Sequence, residues 1–268
     1  MRADMTINNR FTQTQQTVFA DARVVTPEGN GGLRAVSLIR EHVMEISVNE
    51  KAVLRLVCTP NRLPELALGR LVTEGFIKSI EDVDSLYICE NGSRARVYLR
   101  QGMEPVKGAG GPQTEPTCCT DNRLLGGFAP QYGLKALPRA EYSEKSVFAL
   151  IEKFSENASL HKKTTGTHSC YLSYNGEYRR VFEDIGRHNA LDKAVGYALI
   201  NGFSSAGCML FTTGRVPVDM VRKAVAAGIP VLASKAVPTA EAVELAGRFG
   251  LTLICRAWPD SYEIYNQA

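Results

Sequence analysis

Two adjacent thiols, Cys118 and Cys119, stand in the stretch of this 268-residue chain with the least periodicity, among Gly108, Gly110, Gly111, Pro112, Pro116, Gly126 and Gly127. A cysteine thiolate can attack a sulfur donor and hold the delivered atom as a persulfide, a reversible cap. Such a thiol must meet a donor and then an acceptor, and a glycine-rich loop gives it that freedom. Cys118 and Cys119 are therefore the candidate catalytic residues. The other five, Cys58, Cys89, Cys170, Cys208 and Cys255, fall in strand-like runs, where small buried hydrophobes are expected. Adjacent cysteines are poor partners for one tetrahedral ion, and the chain has no CxxC, so no metal site is expected.

A second constellation gathers at the carboxyl ends of three late strands: Thr213 and Arg215, then Ser234-Lys235, then Arg256-Ala257-Trp258-Pro259-Asp260-Ser261. Ligands of open α/β sheets bind at that edge, and two of the three segments lead into helices whose amino termini favour anions. His168 closes the short polar run Thr165-Gly166-Thr167. In Glu183-Asp184-Ile185-Gly186-Arg187-His188-Asn189, leading into a helix, His188 and Asp192 are four apart and can meet on one face. With the apolar stripe Ala190, Leu191, Ala194, Val195, Ala198 and Leu199 facing the core, Arg187, His188, Asp192 and Lys193 are left toward the other side. Neither GxxxxGK[ST] nor GxGxxG occurs.

Elements to position these groups are readable in the periodicity. Short β-branched runs predict strands over 34–41, 43–48 and 52–58, then a helix over 64–77, then strands 84–89 and 94–99 around Asn91-Gly92. Residues 101–142 form a long loop. Ser143 caps a helix with the apolar face Val147, Leu150, Ile151, Phe154 and Ala158. A hairpin, 169–174 and 178–182, turns at Asn175-Gly176. Strand 207–212, helix 217–227, strand 229–233, helix 239–249 and strand 251–255 then alternate, which implies a parallel run with right-handed crossovers. The expected fold is α/β: a smaller β-rich amino-terminal domain (1–142) and a three-layer α/β/α domain with a mixed sheet (143–268).

Composition, with 44% hydrophobic and 22% charged residues, is that of a soluble globular protein. A net charge of +3 does not argue for nucleic-acid binding. The polar amino terminus lacks a secretory h-region and no apolar run reaches a membrane span, so a cytoplasmic chain with reduced thiols is expected.

The chain resembles the formate dehydrogenase accessory sulfurtransferase family, FdhD/NarQ. The resemblance rests on Leu66-Ala67-Leu68-Gly69 with Thr73-Glu74-Gly75-Phe76-Ile77, on Thr165-Gly166-Thr167-His168, and above all on Glu183-Asp184-Ile185-Gly186-Arg187-His188-Asn189-Ala190-Leu191-Asp192-Lys193. It continues through Met220-Val221, Ala233-Ser234, Ala242 to Ala246 and Leu251-Thr252-Leu253. It implies a cytidine-deaminase-like carboxyl-terminal domain without zinc, and a homodimer. It also implies a sulfur carrier that takes sulfur from a cysteine desulfurase and passes it to molybdenum bis(pyranopterin guanine dinucleotide), the client cofactor of formate dehydrogenase. The guanine nucleotides are then expected near Arg256 to Ser261, with no metal of the protein's own. The family loop typically reads C-G-x-C-G, whereas here Thr117-Cys118-Cys119-Thr120-Asp121 stands in its place. A glycine–phenylalanine pair is likewise replaced by Cys255-Arg256. A cofactor-binding chaperone without sulfur chemistry is the alternative, and a deaminase-like enzyme a more distant one.

Overall fold

The computed structural model describes residues 5–12, 14–104, 113–114, 123–124, 133–157 and 159–266. Cys118 and Cys119 lie outside these.

The amino-terminal half is built on β1 (Thr6–Asn9), β4 (His42–Val48), β5 (Lys51–Cys58), β6 (Val83–Ile88), β7 (Arg94–Leu99), β8 (Gln113–Thr114) and β9 (Arg123–Leu124). They form one sheet in the order β1-β6-β7-β4-β5-β9-β8. Alternation, broken only by a bulge at Val53, puts Met44, Ile46, Val48, Leu54, Leu56, Leu86, Ile88, Ala95 and Val97 on one face, against helix α1 (Leu63–Thr73). A separate long ribbon, β2 (Thr17–Thr26) paired with β3 (Gly29–Ile39), stands outside that sheet.

The carboxyl-terminal half contains α2 (Glu144–Asn157), α3 (Ser159–Thr164), β10 (His168–Tyr174), β11 (Glu177–Asp184) and α4 (Arg187–Ile200). It continues through β12 (Cys208–Thr212), α5 (Val218–Ala226), β13 (Val231–Ser234), α6 (Ala240–Phe249), β14 (Thr252–Cys255) and β15 (Glu263–Asn266). The sheet order is β11-β10-β12-β13-β14-β15, with β12, β13 and β14 parallel and the flanking strands antiparallel. On one face α2 packs through Val147, Leu150 and Ile151 onto Tyr171, Phe211 and Ile254. On the other, residues of α4, α5 and α6 cover Cys170, Leu172, Leu210, Leu232 and Leu253. This is the expected mixed three-layer α/β arrangement.

Several boundaries differ from the periodic reading. Helix α1 ends at Thr73, not Ile77, because Gly75 takes a left-handed conformation (φ 73°). The amide of Phe76 then bonds the Leu71 carbonyl (2.9 Å) and that of Gly75 the Val72 carbonyl (3.0 Å). Phe76 and Ile77 stay buried as the apolar lid of this cap rather than as helix. The segment 101–142 is not wholly loop, since β9 pairs with β5 and β8 with β9. Leu134 and Leu137, within it, pack on the carboxyl-terminal core, and the Leu137 amide bonds Phe249 O (2.8 Å).

The two halves meet where α1 crosses α4. A Cβ at Gly69 would overlap the Asp192 carbonyl, and one at Gly196 would overlap that of Glu65, so both helices approach through bare backbone. All of α1 is buried as a result, as is α4 from Arg187 to Gly196. The polar side of α4 therefore does not face solvent as the single apolar stripe implied, because a second helix lies on it. Its charges are matched across the seam. Asp192 meets Arg70 Nη1 at 2.9 Å and Lys223 Nζ at 3.1 Å, and accepts from Thr73 Oγ1 at 2.6 Å. Lys223 also meets Glu74 at 2.6 Å. A second set ties Asp184 to Lys193 (2.6 Å), to the Thr59 hydroxyl (2.9 Å) and to Asn189 (3.0 Å), while Lys193 bonds Asn61 Oδ1 (2.6 Å). Asp184, Asn189, Asp192 and Lys193 of the diagnostic E-D-x-G-R-H-x-A-L-D-K run thus serve the seam. Among the described residues no helix is long and apolar enough to cross a membrane.

Removing one partner of a buried ion pair strands the other charge, so Asp192→Ala is expected to lower unfolding free energy by about 3–5 kcal/mol. Gly69→Ala, which forces the helices apart, should cost on the order of 3 kcal/mol. Urea denaturation of both variants checks this, and losses below about 1 kcal/mol would contradict a tight crossing.

Candidate functional site

Strand direction decides what meets what. The carboxyl ends of β12, β13 and β14 share an edge with the start of antiparallel β10, which brings Thr213 beside His168, with Ser234 and Arg256 one and two strands farther along the same edge. Here the Ser169 amide donates to Thr213 Oγ1 (3.0 Å), and the Thr213 amide donates to Ser169 O (3.0 Å). Gly214 is packed against Arg187 and His168: a Cβ there would lie 2.9 Å from Arg187 Cδ and 3.5 Å from His168 Nδ1. The first turn of α4 is thereby pressed onto the strand edge.

The crevice is electropositive. His168 is half-buried, and its imidazole is held below its ordinary pKa by burial and then by the charges of Arg187, His161, His188 and Lys235. Lys235 Nζ sits 4.9 Å over the Phe154 ring of α2, a cation–π contact that fixes one wall. His161 Nδ1 meets Thr167 O (2.6 Å) and so holds the turn that enters β10, where Thr165 is left-handed (φ 51°). A cluster of cations that keeps a histidine neutral is prepared to receive an anion. Phe154 was legible only as part of the apolar face of α2, and His161 carried no signal, because their partners at this edge are set by packing between α2, α3 and the sheet.

Other expected residues divide by what their polar groups already do. Ser234 is wholly buried: its Oγ donates to Gly214 O (2.7 Å) and accepts from the Ala236 amide (3.0 Å), so it shapes the edge from within. Ala257 is buried in the α2-side core, with its amide on Ser234 O (3.0 Å). Arg256 (φ 47°) is exposed, with its Nε 3.6 Å from Glu263. Trp258, Pro259, Asp260 and Ser261 form an exposed turn in which Trp258 and Ser261 exchange backbone hydrogen bonds (2.8 and 3.2 Å). Arg215 is also exposed. Helices α5 and α6 begin at Val218 and Ala240, within a residue of the expected 217 and 239. Val216 first pairs with Pro238 as a β-bridge, and α6 is capped by the Thr239 hydroxyl on the Ala242 amide (3.3 Å).

The expected His188–Asp192 pair does not form. Asp192 is consumed by Arg70, Thr73 and Lys223, and His188 Nε2 instead meets Asp219 Oδ2 of α5 at 2.7 Å. Helical spacing allowed the first pair, but the crossing of α1 turned Asp192 away. Five of the cysteines lie in the described residues and all are buried and free. Burial pushes the thiols of Cys58 and Cys170 far up, and those of Cys208 and Cys255 up to about 12. These four are poor nucleophiles at neutral pH. Among the described residues no group of His, Cys, Asp and Glu could hold a metal ion.

Comparison with known proteins places the chain. It is 28% identical over 233 residues to the sulfur carrier protein FdhD of Listeria monocytogenes, covering 86% of this chain and 89% of that one. It is 29% identical over 227 residues to FdhD of Geobacillus kaustophilus (84% and 86% covered). For FdhD of Methanothermobacter thermautotrophicus the figures are 27% over 231 residues (85% and 89%). A crystal structure assigned as a formate dehydrogenase accessory protein, from Desulfotalea psychrophila, superposes with a TM-score of 0.77 at 26% identity, covering 94% of this chain and 97% of that one. The FdhD/NarQ family model matches residues 39–268, and the chain belongs to that family.

Proposed function

We propose that this protein is a sulfur carrier for formate dehydrogenase, a cytoplasmic homodimer that receives sulfur from a cysteine desulfurase. The acceptor is molybdenum bis(pyranopterin guanine dinucleotide), bound as a substrate at the carboxyl edge of the parallel strands. The observation that carries the reading is the convergence of His168, Arg187, His188 and Lys235 on that edge. The two diphosphates of the cofactor are anions of the kind such a cluster attracts, with Arg187 suited to bidentate contact. Arg215 and the turn Arg256 to Ser261 flank the same edge and extend it for the nucleotide.

The sulfur-bearing residue is Cys118 or Cys119. Four of the five described cysteines are disfavoured by thiols raised through burial, which supports the assignment. In the step, the thiolate attacks the terminal sulfur of the desulfurase persulfide. The S–S bond of the donor breaks, its cysteine leaves as thiolate with the electron pair, and a persulfide remains on the carrier.

Incubation with desulfurase and free cysteine should add one sulfur to the peptide containing Cys118 and Cys119, as read by mass spectrometry. The Cys118→Ala, Cys119→Ala double variant should gain none there and should fail to support formate dehydrogenase activity while still binding GDP. Restored activity in that variant would favour the chaperone reading, in which the cofactor is bound but not sulfurated.

The crevice also predicts a proton uptake. An anion that neutralises Arg187 and Lys235 removes the repulsion holding His168 neutral, so its pKa rises on binding. GDP affinity of the native protein relative to His168→Gln should therefore grow as pH falls through the ordinary histidine range, by about threefold to tenfold. Calorimetry in buffers of different ionisation enthalpy measures it, and the ligand's own titration is common to both proteins. Parallel pH profiles would remove His168 from the site.

A further inference from the structure

The fifth described cysteine, Cys89, differs from the other four. It lies just past β6 on the face of the amino-terminal sheet opposite α1, in a cavity of about 350 Å³ lined by Tyr87, Cys89, Arg94, Arg96 and Tyr98. The strands are paired so that Tyr87 stands across from Arg96, and the Cys89 amide bonds Arg94 O (3.1 Å). Alternation sends Leu86, Ile88, Ala95 and Val97 into the core, so these polar and aromatic side chains are left together on the far side. Cys89 Sγ donates to Asn91 Oδ1 (2.9 Å), accepts from the Arg94 amide (3.2 Å) and lies 3.7 Å from Ser93 Oγ. Burial raises this thiol, but the hydrogen bonds from Ser93 and from the backbone and side chain of Arg94 outweigh it and leave it below its ordinary value. Among the carboxylates around it, Glu50 accepts from the Tyr98 hydroxyl, Glu45 stands across from Arg94 on β4, and the exposed Glu90 follows Cys89 in the chain.

We propose that this cavity is a second thiol site, where Cys89 exchanges with small anionic disulfides whose negative group is held by Arg94 and Arg96. A thiol in a cavity lined by two guanidiniums selects such a reagent in both steps, since charge attracts it and the thiolate attacks it. The Cys89 thiolate attacks one sulfur, the S–S bond breaks, and the second sulfur leaves as a thiolate carrying the electron pair. The thiol proton goes to solvent, and Cys89 is left in a mixed disulfide with no outside oxidant. This site is separate from the cation cluster at the carboxyl edge and does not rest on the sulfur-carrier reading.

The test uses the full chain carrying Cys118→Ala and Cys119→Ala, treated with dianionic dithiobis(nitrobenzoate) or neutral dithiodipyridine. Peptide mapping should find Cys89 labelled ahead of Cys58, Cys170, Cys208 and Cys255 in the native protein. Arg94→Ala with Arg96→Ala should slow the dianionic reagent about tenfold while changing the neutral one less than about twofold, and the double Lys variant should keep the preference. Labelling of Cys89 no faster than the core cysteines would overturn the proposal. So would Arg substitutions that slow both reagents alike or neither.

Discussion

Two helices in backbone contact, with four opposite charges closed between them, set the geometry of this molecule. The crossing of α1 and α4 needs Gly69 and Gly196, because any side chain there meets a carbonyl of the other helix. Arg70, Glu74, Asp192 and Lys223 are buried there, so each must find its counter-charge within the seam. The set is neutral as a whole, and its hydrogen bonds are directional. Desolvation makes the net stabilisation of such a set small, but a shifted register would strand a charge. The seam therefore favours one docking of the two sheets over its neighbours.

The candidate edge inherits that docking. Helix α4 is held along its length by Asp192, Asn189 and Lys193, and its first turn delivers Arg187 and His188 to the strand ends. His188 is then fixed by Asp219, and Arg187 lies against Gly214, which has no side chain to keep it away. Lys235 reaches the same region from β13 and rests on Phe154. Cations from three elements thus share one crevice, each positioned by contacts that have nothing to do with a ligand. Their mutual repulsion is partly expressed as the depressed His168, and an anion bound there would relieve it.

The thiols follow the same logic of environment. Cys58, Cys170, Cys208 and Cys255 occupy apolar interior, where a thiolate has nothing to replace its lost hydration. Cys89 is almost as buried, yet a backbone amide, a hydroxyl and a guanidinium surround its sulfur. Residue type alone would class all five together, and shallower burial and hydrogen-bond partners separate Cys89.

Family membership, the mixed α/β class, α2 with its Ser143 cap, and the order of the late strands and helices were legible in the sequence. Local chemistry governs those features: 3.6- and 2-residue periods, caps, and Asn-Gly turns at 91–92 and 175–176. The end of α1 was legible in principle through Gly75, but the buried Phe76 and Ile77 extended the apolar pattern past it. What only the tertiary structure decided were the partners. The sequence placed His188 beside Asp192 by helical spacing, whereas α5 supplied Asp219 and α1 claimed Asp192. It marked Ser234 as a ligand group, whereas the Gly214 carbonyl engages it from within the edge. Periodicity records which side of an element is apolar, but it carries no record of a second helix lying on the polar side. Only long-range packing could turn the charged face of α4 from surface into seam.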